Sequence, residues 1–188
     1  PQRRKDPILV ERDEGFRSET SMESLGKLRA AFDREGQVTA GNASQISDGA
    51  AAVLVADRAL AEEQGWEIIC TIVDQVTSGL EPAKVMSAPI PAIQMLLTRN
   101  DLAVDDVDLY EHNEAFAAAS CSVAKVIGIS DDKFNVHGGA VALGHPLGAS
   151  GTRCLISMIG AMRRLQLNSG IVTLCLGGGN AVAMLIQI

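Results

Sequence analysis

From about residue 67 onward, apolar and polar positions alternate between two periods, one near 2 and one near 3.6. Ile68–Val76 is β-branched and strand-like, Ile90–Thr98 follows a Pro89-Ile90-Pro91 helix start, and Asp106–His112 again has the look of a strand. Glu114–Ile127 has helical spacing and closes near Gly128, a residue that ends helices cheaply. Phe134–Val141 predicts a strand or extended loop. Ser150–Leu165 predicts a helix with Met158, Met162 and Leu165 on one apolar stripe. Ile171–Cys175 and Val182–Ile188 flank a triple glycine as a hairpin. The succession βαβαβαββ is the signature of a layered α/β domain. The first forty residues are weaker in pattern, charged and glycine-punctuated, with one short helix expected at Ser21–Phe32. Thr39–Asp48 is a loop of small turn formers, Gly49–Ala56 is apolar and strand-like, and Asp57–Gln64 is a helix stopped by Gly65.

Composition narrows the function classes. The 188 residues carry a net charge of −7, which disfavours a nucleic-acid binder because phosphate binding needs a basic footprint. Aromatic residues make up only 3%, so Ala, Val, Leu and Ile must fill the core. No apolar run has the length of a membrane span, and no secretory leader is evident. The four cysteines, Cys70, Cys121, Cys154 and Cys175, match no zinc spacing. Reduced thiols in a cytoplasmic compartment are the expectation. Cys70, Cys121 and Cys154 lie in apolar contexts that predict core positions, and Arg163-Arg164 predicts a solvated face.

Three segments concentrate chemistry: Asn113-Glu114-Ala115-Phe116-Ala117, Gly144-His145-Pro146-Leu147-Gly148-Ala149-Ser150-Gly151 and Cys175-Leu176-Gly177-Gly178-Gly179. Asn113 precedes His145 by 32 residues and His145 precedes Cys175 by 30. Each interval is about one strand plus one helix, so the three can converge at one edge of a sheet. They supply an amide, an imidazole suited to proton work near neutral pH, a thiol and glycine N–H groups. The glycine runs do not match a dinucleotide fingerprint. Taken singly, each residue has a plain structural alternative: a turn histidine, a buried small thiol, a helix cap at Asn113. His112 and His137 are expected to be structural or supporting.

These motifs, in this order, resemble the thiolase family over the whole chain, most closely the acetyl-CoA acetyltransferases. The resemblance implies residues 1–46 as the end of a coenzyme A-holding loop domain. It implies 47–67 as the last strand and helix of an N-terminal domain, and 68–188 as a C-terminal domain. It further implies reversible Claisen condensation of two acetyl-CoA into acetoacetyl-CoA and coenzyme A, with His145, Cys175, Asn113 and Gly177 as catalytic groups. His145 would assist the nucleophile and donate to a thioester oxygen, and Asn113 would hold a water on the same oxygen. Cys175, with a lowered pKa, would move the α-proton, and Gly177 N–H would line an oxyanion hole. Phe32, Ala40 and Ser44 would line the pantetheine channel, and Met86 and Phe116 an acyl pocket. The thioester substrates would be the only coenzyme involved, with no metal. The nucleophilic cysteine of a thiolase lies in a first half that these residues do not cover, so an N-terminal half and an oligomer are the expected partners. His137 stands where thiolases commonly carry Asn. Two alternatives stay open: a non-catalytic thiolase-like module that binds acyl-CoA or a partner chain, and a related condensing enzyme of the hydroxymethylglutaryl-CoA or ketoacyl synthase kind. The thiol at Cys175 favours thiolase over the latter.

Overall fold

The computed structural model describes residues 9–188; what the sequence predicts for residues 1–8 lies outside them. Four strands form one sheet: β1 (Thr71–Gly79), β2 (Leu109–His112), β3 (Ser169–Leu176) and β4 (Asn180–Gln187), in the order β1-β4-β3-β2. β1 and β3 run antiparallel to the central β4, and β2 runs parallel to β3. β2 is buried at all four positions, as a short parallel strand covered on both faces should be.

Helices cover both faces. α3 (Pro89–Arg99) and α4 (Ala117–Ile127) pack on one side, where Ile93, Leu96, Val107, Tyr110, Val123, Ile171 and Leu185 form the larger core. On the other side α6 (Ser150–Leu165) brings Cys154, Met158, Ala161 and Met162 onto Leu109, Val172 and Ile186. Met158 and Met162 therefore fill core space as the stripe predicts, whereas Leu165, at 44% exposure, falls at the helix end beyond the sheet. α6 ends on Gln166 in the left-handed region.

Several expectations are corrected. Phe134–Val141 is not a strand, so the domain carries one strand fewer than βαβαβαββ among the described residues. Phe134 makes a single bridge to Tyr110; then Asn135 (φ 47) and Gly138 (φ 74) turn the chain into α5 (Ala140–Leu143). Gly49–Ala56 has no regular secondary structure and joins no sheet among the described residues; a strand requires a neighbour for its N–H and C=O groups. The Ser21–Phe32 helix contracts to α1 (Met22–Gly26), opened by a Ser21/Ser24 capping box, and the chain then pairs Ala30 with Thr39 instead. α2 (Arg58–Glu63) starts on Asp57, whose carboxylate accepts from the Ala59 and Leu60 N–H groups. α4 begins at Ala117, not Glu114, because Phe116 is held extended (φ −141) against Ala43. Cys121 is exposed on α4 and Cys70 half-buried; of the three expected in the core, Cys154 alone is buried.

Candidate active site

β2 and β3 point their carboxyl ends the same way, and the candidate groups gather there. Asn113 follows β2 directly, and its N–H donates to the Thr173 carbonyl at 3.0 Å, which extends the ladder by one bond and fixes the amide against the sheet. Asn113 is fully buried. Its Nδ2 lies 3.3 Å from Nε2 of His145, a direct contact between two of the three motifs.

His145 owes its place to backbone constraints on both sides. Gly144 has φ 94, and a Cβ on it would lie 2.0 Å from Ser47 Oγ, so only glycine fits. The His145 N–H donates to Gln45 O at 2.9 Å. The ring Nδ1 lies 2.5 Å from Ser150 Oγ, and that hydroxyl donates to Pro146 O at 3.0 Å. Burial, and next the charge of Arg153, lower the His145 pKa, which keeps the imidazole neutral at pH 7.

The loop carrying His145 is tied to the Asn113 loop by Glu114. Its Oε1 accepts from Asn135 Nδ2 at 3.1 Å and its Oε2 from the Val141 N–H at 3.2 Å. A Cβ on Gly139 would sit 2.4 Å from the Glu114 carboxyl carbon, so this glycine makes room for the clamp. Asn135 in turn bonds both backbone groups of His112, at 2.7 and 3.0 Å.

Cys175 lies near the end of β3. Side chains alternate along the strand, so Ile171, Thr173 and Cys175 face the α3/α4 side while Val172 and Leu174 face α6. The thiol meets Met86 Sδ at 4.0 Å, on the 3-10 turn Pro82–Ser87. Thiol and imidazole thus approach the sheet end from opposite faces, joined through Asn113 and Thr173. The expected lowering of the Cys175 pKa is reversed: burial raises it, against the pull of its own backbone N–H. Gly177 opens the β3–β4 turn, exposed, with free space where a Cβ would stand. Gly178 and Gly179 complete the turn at φ 87 and 93, and Gly179 O accepts from the Leu80 N–H at 2.8 Å, which anchors the hairpin to the end of β1.

The expected coenzyme A residues fall in two places. Phe32 stacks edge-on to Phe116, ring centroids 6.0 Å apart, and is 77% exposed. Ser44 donates through both N–H and Oγ to Ala115 O, at 3.1 and 2.9 Å, and Ala40 is exposed on the same loop. Met86 stands apart with Cys175. None of the five lines the cleft of about 350 Å³ that opens beside His145 between Ser47–Ala51 and Pro146–Ala149. His112 is buried, its Nδ1 2.7 Å from Ser120 Oγ, and His137 is exposed.

A family model described as the thiolase C-terminal domain matches residues 66–188, and one described as the thiolase N-terminal domain matches residues 1–59. The chain belongs to the thiolase family. It is 44% identical over its whole length to an acetyl-CoA acetyltransferase of Chromobacterium violaceum, of which it covers 48%. It is 46% identical over 98% of its length to one from Shinella zoogloeoides, of which it covers 47%. The crystal structure of the Bacillus anthracis acetyl-CoA acetyltransferase superposes with a TM-score of 0.92 at 39% identity, over all of this chain and 47% of that one. A human mitochondrial 3-ketoacyl-CoA thiolase in complex with CoA gives 0.86 at 37% identity, over 95% of this chain and 45% of that one. The chain therefore spans about half the length of the relatives it matches.

Two polar residues beside the candidate groups were missed in the sequence: Arg153, which reaches both Glu111 and Asn113, and Ser150, which lies against the imidazole. Glu111 in the short strand Leu109–His112, buried at all four positions, was the available signal, since a buried carboxylate calls for a cation nearby.

Proposed function

We propose that the chain carries the second half of an acetyl-CoA C-acetyltransferase site and serves the reversible Claisen condensation of two acetyl-CoA into acetoacetyl-CoA and coenzyme A. The observation that carries this is the direct Asn113–His145 contact at the carboxyl end of β2, with Cys175 and Gly177 ending the neighbouring strand. Acyl transfer requires a base beside a sulfur nucleophile. A neutral His145 whose Nδ1 is occupied by Ser150 offers Nε2 for that proton. Once protonated, Nε2–H becomes the donor to a thioester oxygen, joined by a water on the Asn113 amide. A donor set of this kind is worth roughly 3 kcal/mol per hydrogen bond in the transition state.

The raised pKa of Cys175 fits its place in the sequence of steps. A thiol held protonated gives its proton to the departing coenzyme A sulfur. The thiolate left behind takes the α-proton of the second acetyl-CoA, whose carbanion attacks the acyl carbon and restores the nucleophile as leaving group. Electrons and protons balance over the cycle. The nucleophile itself is assigned to the half of a thiolase that this chain does not span. Cys121 lies exposed on the far helix, and burial pushes Cys154 up to about 12.

Residues 1–46 are read as the end of the coenzyme A-holding loop domain, 47–67 as the end of the N-terminal domain and 68–188 as the C-terminal domain. A companion N-terminal half, assembly into an oligomer, and a reducing, cytoplasmic setting for the four thiols complete the proposal. Among the described residues no helix is long and apolar enough to cross a membrane. The test is exchange of the acetyl-CoA methyl protons with deuterated water in the assembled enzyme. Cys175→Ala is expected to abolish exchange while leaving nucleophile acylation detectable. Exchange at the parental rate would remove Cys175 from the proton transfer, and an assembled parent without exchange would favour the reading as an acyl-CoA-binding module.

A further inference from the structure

We propose that Arg153 is a positioning residue that fixes which way the Asn113 amide faces, and through it which ring nitrogen of His145 carries the proton. This inference rests on the assignment of Asn113 and His145 to the site.

Four hydrogen bonds run in one direction. A guanidinium can only donate, so the atom of Asn113 that lies 3.3 Å from Arg153 Nη2 must be the oxygen. That leaves the NH₂ of the amide facing His145 Nε2, at 3.3 Å. An amide NH₂ can only donate, so Nε2 must accept and the ring proton sits on Nδ1. Nδ1–H donates to Ser150 Oγ at 2.5 Å, and the hydroxyl passes its own proton to Pro146 O at 3.0 Å, a group that can only accept. The guanidinium, which can only donate, sets the direction at one end; at the other, Pro146 O also accepts from the Ala149 and Ser150 N–H groups at 2.8 and 2.9 Å, so the Ser150 hydroxyl can turn and follows the ring. Remove Arg153 and the amide oxygen keeps only the long, weak contact of the Cys154 thiol at 3.9 Å to tell it from the nitrogen.

The guanidinium is itself held. Nη1 donates to Glu111 Oε1 at 2.8 Å, a carboxylate on the all-buried β2. One branch of the fork serves Glu111 and the other serves Asn113 and Cys154 Sγ. A lysine, with one point charge, could not span both directions. Satisfying Glu111 alone would need no second branch, so the fork is what separates positioning from simple charge compensation.

The experiment uses histidine-labelled protein and two-bond ¹H–¹⁵N spectra at pH 8, with His145 assigned from a His145→Gln sample. The parent chain is expected to show a single His145 tautomer, protonated at Nδ1 and bare at Nε2. Arg153→Met combined with Glu111→Gln removes both charges together, so no buried ion is left unpaired. This variant is expected to show an averaged tautomer, while Glu111→Gln alone keeps the parental one. In the assembled enzyme the double variant should lose roughly tenfold or more in kcat with KM near the parental value, the scale known for residues that orient metal-ligating histidines. Should the double variant fail to fold, Arg153→Lys is read instead and is expected to loosen the tautomer. A parental spectrum with the proton on Nε2, or a folded Arg153 variant with unchanged tautomer, overturns the proposal. Absence of thiolysis in the parental assembly would count against the function proposed above and leave the tautomer measurement to decide on Arg153.

Discussion

His112 occupies the position before Asn113 and has no solvent contact; Ser120 holds its Nδ1 and Phe134 stacks on the ring with centroids 6.3 Å apart. Burial lowers its pKa from 6.5 to about 4. The folded chain therefore binds fewer protons than the unfolded chain across that interval. The contribution of His112 to stability is complete above 6.5 and is lost as pH falls to about 4, on the order of 3 kcal/mol at most. Glu111, one residue earlier, works the other way. Burial raises it from 4.5 to about 7 against the pull of Arg153, so its contribution is complete at low pH and is lost as pH rises through about 7. The two slopes oppose one another between 4.5 and 6.5. His112→Gln is expected to unmask Glu111: its urea midpoint should rise as pH falls through that window, where the parent stays nearly flat. A midpoint that falls more steeply than the parent's would contradict this assignment. At this scale the sequence shows Asn113, His145 and Cys175, because glycines and motif spacing single them out. Ser150 stands inside the glycine-rich motif with nothing in the sequence to show that it meets the ring, and Arg153 is hidden within a helix whose polar residues look like an ordinary solvent face.

Among the elements, α3, α6 and the β3–β4 hairpin are legible nearly to the residue, since periodicity, proline and glycine all agree there. The Gly138–Gly148 region is not, because its shape depends on tertiary partners: Glu114 filling the space above Gly139 and Ser47 above Gly144. Gly144→Ala places a methyl 2.0 Å from Ser47 Oγ at a φ of 94. Strain of that type costs on the order of 1–3 kcal/mol before any clash is relieved. The expected outcome is a melting temperature lower by several degrees and loss of the His145–Gln45 backbone bond, read as faster amide exchange at His145. Gly148→Ala, where a Cβ meets open space, serves as the control and should exchange as the parent does. Equal exchange in both variants would show that Gly144 does not set the His145 backbone.

For the molecule as a whole, the α/β class follows from the alternation of periods, but the behaviour of residues 46–55 does not. Ile46, Leu54 and Val55 are 93%, 82% and 67% exposed, in a stretch that makes one isolated bridge, Ile46 to His145, and joins no strand among the described residues. Apolar exposure of this kind asks for cover. The pattern promised a strand because it records the residues' preference, not whether a neighbouring strand is at hand. The relatives it matches are about twice as long as this chain.

The central claim, that Asn113, His145, Cys175 and Gly177 form half of a thiolase site, is tested most directly by a chimera. Residues 1–188 replace the matching second half of the Shinella zoogloeoides acetyl-CoA acetyltransferase, and thiolysis of acetoacetyl-CoA is measured. The chimera is expected to turn over, its Cys175→Ala and His145→Ala forms to lose all but a trace of that rate, and the 188-residue chain alone to show none. A folded chimera without thiolysis, or full turnover in either variant, would contradict the account.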